Sequence, residues 1–183
     1  VKVDDIEEAF RICEKPAAIE FKYDGFRMII SKDKNEIKLF TRRLENVTKQ
    51  FPDVIETVKK HVKGNSFILD SEVVGYDTKT KKYKPFEAIS QRIKRKYDIE
   101  KLMKDLPVEI NVFDILYYNN EGLINTPFKE RRKLIEKIIS KKDLTIKPAV
   151  QLIASSDSEA MKFYKKALKA GEEGIIMKNL DAF

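Results

Sequence analysis

Eight consecutive residues, Glu20-Phe21-Lys22-Tyr23-Asp24-Gly25-Phe26-Arg27, hold the side chains of this 183-residue chain best suited to do chemistry. Alternation along an extended strand puts Glu20 and Lys22 on one face. Asp24-Gly25 is a turn signal, and Arg27 re-enters on the strand that follows. A lysine amine is a nucleophile once it has lost its proton, and a second cation nearby disfavours the charged form. A carboxylate two residues away can accept hydrogen bonds from a substrate. The plain alternative is a surface hairpin carrying a Lys–Glu pair, and the segment alone does not choose between the two. Composition closes other routes. One cysteine, Cys13, excludes a disulfide framework and a cysteine-cluster zinc site. One histidine, His61, excludes histidine triads and multi-histidine metal sites. Any chemistry must run on Lys, Arg, Asp, Glu or Tyr.

The elements that position these residues are readable from hydrophobic patterning. Residues 4–14 read as a helix. Strands are predicted over 17–22, 26–31 and 37–41, broken by Asp24-Gly25 and by Asp33-Lys34-Asn35. Phe51, Ile55, Val58 and Val62 share one face of a helix over 51–62, with Pro52 near its start. Residues 67–76 read as a strand, 85–105 as mixed and mostly helical, and the almost wholly apolar 108–118 as a buried strand. Thr126-Pro127 opens a helix through Ile139, and 145–153 is extended. Ser156-x-x-Glu159 is a capping box opening a helix that ends at Gly171, and 174–178 is a short closing strand. Such an order predicts an α+β fold of mostly antiparallel sheets with flanking helices.

An apolar fraction of 42% excludes wholesale disorder. No apolar run approaches the roughly 18–20 residues of a membrane helix. The opening VKVDDIEE carries no signal-peptide pattern. The net charge is +7, and the segment Lys79–Lys96 holds eight basic residues against one acid, as large an excess as the whole chain's. A local excess of this kind suits a polyanion such as nucleic acid, or equally a solvated lysine-rich face.

Lys22-x-Asp24-Gly25-x-Arg27 resembles the signature of the covalent nucleotidyltransferases: ATP-dependent DNA ligases, RNA ligases and mRNA capping enzymes. Companion segments occur in that family's order. Thr41-Arg42-Arg43 resembles the arginine segment after motif I. FILDSEVV, ending on Val74, resembles motif III with its glutamate at Glu72. Val112-Phe113-Asp114-Ile115-Leu116-Tyr117 resembles motif IIIa, and Glu173-Gly174-Ile175-Ile176-Met177-Lys178 resembles motif IV. FEAISQRIKR (86–95) and FDILYYNNEGLINTPFKERR (113–132) are most similar to archaeal and eukaryotic replicative DNA ligases.

The resemblance implies an adenylation domain over residues 1–183 that is C-terminally incomplete, ending before the family's motif V lysines. It also implies that an upstream DNA-binding domain and a downstream oligonucleotide-binding barrel are absent. Lys22 would be the nucleophile that becomes lysyl-AMP. Glu20 would accept from adenine's exocyclic amine, which favours ATP over GTP. Arg27 and Arg42 would contact ribose or phosphate, and Phe113 would stack on the base. Glu72 and Glu173 would serve ribose and a Mg²⁺ or Mn²⁺ ion, and Lys178 the α-phosphate. The implied partners are nicked double-stranded DNA and a sliding clamp, the latter engaged through regions outside this chain, with no membrane. The implied location is the cytoplasm, or the nucleus in a eukaryote. An RNA ligase, a GTP-using capping-type enzyme and a non-catalytic nucleic-acid-binding module stay open as alternatives.

Overall fold

The computed structural model describes residues 1–183. In chain order, α1 (Ile6–Cys13) leads into β1 (Ala17–Lys22), β2 (Phe26–Asp33) and β3 (Glu36–Thr41). α2 (Pro52–His61), β4 (Ser66–Gly75), α3 (Phe86–Lys94), α4 (Ile99–Asp105) and the long β5 (Val108–Tyr118) follow. The two-residue β6 (Glu121–Gly122), α5 (Phe128–Ile138), β7 (Ile146–Pro148), β8 (Gln151–Ala154), α6 (Asp157–Lys169) and β9 (Gly174–Asn179) complete the order. No helix is long and apolar enough to cross a membrane.

These strands form two sheets. The smaller has β1 at its centre, antiparallel to β8 on one side and β9 on the other. The larger runs β3-β2-β4-β5-β6, all antiparallel, with β7 added parallel to β5. This matches the α+β, mostly antiparallel expectation. The predicted extended segment 145–153 proves to be two strands in different sheets, and 85–105 two helices parted by Asp98 at φ 58°.

Each sheet buries one face under helices. Phe26, Met28 and Ile30 of β2, and Phe67, Leu69 and Val73 of β4, join Phe51, Val54 and Val58 around α2 and Ile135 and Ile138 of α5. In the small sheet, Ala17, Ile19 and Phe21 meet Phe10 of α1 and Ala160, Phe163 and Ala167 of α6. The alternate residues, Glu20 and Lys22 on β1 and Arg27 on β2, are left for the opposite faces.

β5 departs from simple alternation. Asp114 pairs with Asp70 and Val112 with Ser71, so Phe113 is an extra residue on β5, a β-bulge. A bulge re-aims the side chains beside it. The helix predicted to open at Thr126-Pro127 begins instead at Phe128. Its free N–H groups at Phe128 and Lys129 donate to the carbonyls of Ala182 and Leu180, at 2.8 and 2.9 Å. The C-terminal residues therefore do the work of a cap.

The basic run 79–96 is not one solvated face. Arg92 is 0% exposed. Its guanidinium pairs bidentately with Asp53 at 2.6 and 2.8 Å, donates to the Gln50 and Leu106 carbonyls, and stacks over Phe51. Lys94, Arg95 and Lys96 stay exposed. Removing one partner of a buried ion pair strands the other charge, at a cost of about 3–5 kcal/mol. Asp53 is partly exposed, so Asp53→Ala should lower the stability measured by denaturant melts by about 3 kcal/mol, the lower end of that range.

Candidate active site

The chain passes from the small sheet to the large one through Tyr23-Asp24-Gly25, and this passage sets Lys22 in place. The Tyr23 hydroxyl accepts from the Val150 N–H at 2.9 Å. Glu172 is inward-facing and 6% exposed, and the nearby Asp24 backbone amide partly offsets the rise that burial imposes on its carboxyl. The Glu173 N–H donates to the Lys22 carbonyl at 3.0 Å. Gly25 lies so close to β4 that a Cβ there would stand 2.1 Å from the Val73 carbonyl oxygen. Any side chain at 25 would push the two strands apart.

Two groups of side chains line the space between the sheets. At one end Glu20, only 2% exposed, takes Lys178 Nζ on Oε1 at 2.7 Å and Gln151 Nε2 on Oε2 at 2.9 Å. The Lys178 ammonium stands 4.9 Å from the ring centres of both Phe113 and Phe128, a favourable place for a cation. Register explains the arrangement: Lys178 lies opposite Ala18 on the face of β1 that carries Glu20.

At the other end Lys22 Nζ meets Glu173 Oε2 at 2.8 Å. Arg27 is held bidentately by Asp70, which keeps its guanidinium above its ordinary pKa. Glu72 sits directly across from Arg27 in the β2–β4 ladder. Burial, then the charges of Asp70 and Glu173, push the Glu72 carboxyl up to about 7, with Arg27 pulling the other way. Asp70 is thus paired with Arg27 and Glu173 with Lys22, while Glu72 has no hydrogen-bonded partner of its own. No three His, Cys, Asp or Glu side chains form a ready-made metal cluster. One or two carboxylates short of compensating charge suit Mg²⁺, which keeps its waters and takes further oxygens from a substrate phosphate. The donor set fits such an ion.

A sequence model of the family described as ATP dependent DNA ligase domain matches residues 1–183. The chain belongs to the ATP-dependent DNA ligase family. It is 50% identical over 182 residues to the DNA ligase of Nanoarchaeum equitans, covering 100% of this chain and 32% of that protein. It is 40% identical over 177 residues to the DNA ligase of Thermococcus onnurineus, covering 97% and 31%. The chain therefore spans about a third of the length of these relatives. The ligase domain of LigD from M. tuberculosis superposes with TM-score 0.66 at 27% identity, over 91% of this chain and 49% of that one. A mycobacterial DNA ligase D complexed with ATP and MES gives TM-score 0.63 at 28% identity, with the same coverage.

Within this ligase-family fold, Glu20, Lys178 and Phe113 form one contact group and Lys22, Glu173, Glu72 and Arg27 a second, the two joined along β1 from Glu20 to Lys22. Arg42 stands apart, exposed in the turn just past the Met28–Thr41 end of the β2–β3 ladder, at the level of Arg27. Lys178 is held by Glu20, two residues along β1 from Lys22. Nor is Lys22 set beside a free cation: Arg27 is engaged by Asp70, and the nearest charged partner of Lys22 is a carboxylate. Asp70, Gln151 and Phe128 touch these residues and escaped the sequence reading, whereas Glu172 is the adjacent acid from which the Glu-Gly motif singles out Glu173. Asp70 had a signal, since it alternates with Glu72 on the same strand. Gln151 had none without the β1–β8 register, and Phe128 none without the packing of α5 beside Lys178.

Of the adjacent acids, Glu173 contacts Lys22 and Glu172 turns inward. Glu172 is 6% exposed, its Oε1 has no partner, and burial pushes it up to about 7. A carboxyl raised above its ordinary 4.5 binds its proton more tightly in the fold. Its contribution is therefore fully favourable at low pH and is lost as pH rises from about 4.5 through 7. Glu172→Gln should leave stability nearly unchanged at pH 5 and raise it at pH 8 by up to about 3 kcal/mol, as followed by thermal melts at the two pH values.

Proposed function

We propose that this chain carries the adenylation site of an ATP-dependent DNA ligase, with Lys22 as the nucleophile. The observation that supports it most is the arrangement around Lys22, which is fixed on a clamped turn: Glu20 two positions back along β1, with its Lys178 against Phe113, on the base side, and Arg27, Glu72 and Glu173 on the phosphate side. In the first step the unprotonated Lys22 amine attacks the α-phosphorus of ATP. The N–P bond forms, the bond to the pyrophosphate oxygen breaks, and pyrophosphate leaves. Glu173, in contact with Nζ, is the carboxylate placed to receive the departing proton. A divalent ion held by Glu72 and Glu173 would neutralise triphosphate charge. Adenine stacking on Phe113 would take the place of the Lys178 ammonium over that ring, and its amine would donate to Glu20. The displaced Lys178 is then a cation free to turn toward phosphate.

In the second step the 5′-phosphate of a DNA nick takes AMP from Lys22. In the third the 3′-hydroxyl attacks that phosphate and AMP leaves. Arg27 and Arg42 serve ribose and phosphate oxygens, for which forked guanidinium donors are suited. The relatives named DNA ligase favour this reading over an RNA ligase or a capping-type enzyme.

Incubating the protein extended through the family's motif V with ATP and Mg²⁺ should add the mass of one AMP, mapping to Lys22, whereas residues 1–183 alone should be adenylated very slowly. Lys22→Arg, which keeps the charge but holds its proton, should give no adduct. An adduct on another lysine, or GTP used in preference to ATP, would overturn the assignment. The exposed Lys94, Arg95 and Lys96 are proposed to track DNA phosphates. Neutralising all three should weaken duplex binding equally for all sequences and flatten its salt dependence, by up to about one slope unit per lost contact. Binding titrations over a salt series measure both.

A further inference from the structure

Glu20 does not work by itself at its end of the cleft. Gln151 lies directly across from it in the β1–β8 ladder and donates Nε2 to Glu20 Oε2 at 2.9 Å. An ionised carboxylate accepts and cannot donate. Glu20 therefore dictates which way round the Gln151 amide sits, with nitrogen toward the carboxylate and carbonyl oxygen away. A flipped amide would set oxygen against oxygen. The Gln151 carbonyl oxygen takes no hydrogen bond from the protein, and on this half-buried side chain it is open to solvent. On its other oxygen Glu20 holds the Lys178 ammonium at 2.7 Å, so that oxygen faces the cleft and accepts a nitrogen donor there.

We propose that Gln151 is a specificity-determining residue: its carbonyl oxygen and the Glu20 carboxylate form a pair of acceptors matched to the two hydrogens of a 6-amino purine. This rests on reading the cleft as an adenine-nucleotide site. A 6-oxo purine brings an acceptor to the same place. To donate to it, Gln151 would have to turn its amide over, break its bond to Glu20 and point its own oxygen at a carboxylate. The carboxylate thus rejects the 6-oxo group twice, once directly and once by locking the neighbouring amide. A buried polar group left facing its like costs far more than a matched pair gains.

AMP and IMP differ at this position and carry no pyrophosphate to lose, so Lys22 does not react with either. Calorimetric titration of both nucleotides into the 183-residue chain reads the effect directly. The unmodified chain should prefer AMP. Gln151→Met, similar in length but without hydrogen-bonding atoms, should weaken AMP about tenfold while leaving IMP unchanged or tighter, and should lower the melting temperature because Glu20 loses a donor. Glu20→Gln should also narrow the preference, because its carboxamide can donate as well as accept and frees Gln151 to turn. If Glu20→Gln narrows the AMP preference and Gln151→Met does not, the role given to Gln151 is wrong and the adenine site stands. Equal weakening of AMP and IMP in Gln151→Met would reduce Gln151 to a packing residue and overturn the proposal. If the unmodified chain shows no preference for AMP, the adenine reading falls with it.

Discussion

The hydrogen bond from the Val150 N–H to the Tyr23 hydroxyl joins the two places where the backbone leaves one sheet for the other. A strand that changes sheets must abandon its ladder, and the amides at the crossing then need other partners. Tyr23 in the first crossing supplies one to the second. Phe21 returns the tie by donating its N–H to the Val150 carbonyl at 3.3 Å. Because the two crossings are tied, the sheets keep a fixed separation, and the residues on their facing sides keep a fixed relation. Lys22 stands at the last residue of β1 before the first crossing, and Gln151 at the first residue of β8 after the second. The cleft is the space these ties hold open.

Charge in the cleft is matched at one end and unmatched at the other. Glu20 is satisfied on both oxygens, and Lys178 is seated between an anion and two aromatic rings. At the other end Asp70 and Glu173 are taken by Arg27 and Lys22, but Glu72 has no partner, and burial, reinforced by the charges of Asp70 and Glu173, holds its proton to about 7. A ligand with a donor-rich head and a metal-bearing anionic tail complements both ends. The asymmetry belongs to the two-sheet arrangement, since the matched end is built mostly from the small sheet and the unmatched end mostly from the large one.

Much of this was legible in the sequence because alternation is a local property. β1 reads correctly from Ala17, Ile19 and Phe21 against Glu20 and Lys22, and the Lys22–Arg27 signature marks the turn. The capping box at Ser156 is present, with its hydroxyl accepting from the Glu159 N–H at 3.2 Å. What stayed hidden depends on register between distant segments. Lys178 meets Glu20 across 158 positions of sequence, through the β1–β9 pairing. Arg27 meets Asp70 only because β2 and β4 are neighbours. Arg92 looks like one more cation in a basic run until Asp53, on a helix 39 positions earlier, is brought to it. The extended segment 145–153 has the same local pattern whether it stays in one sheet or divides between two.

The bulge in β5 sets two neighbouring side chains, Phe113 and Asp114, opposite the single residue Asp70, where a regular strand would offer one. The ring is directed to the Lys178 ammonium, and the carboxylate anchors Arg131 of α5 at 2.9 Å. Deleting Phe113 would restore one-to-one pairing past Asp70 and Ser71 while leaving Ile115 opposite Leu69, Asp114 available to Arg131, and the second irregularity, at Leu116, in place. The segment is thus far more tolerant of a change in residue type than of a change in length. A one-residue deletion there is the kind of lesion that a screen for folded protein would pass and a screen for nucleotide capture would reject.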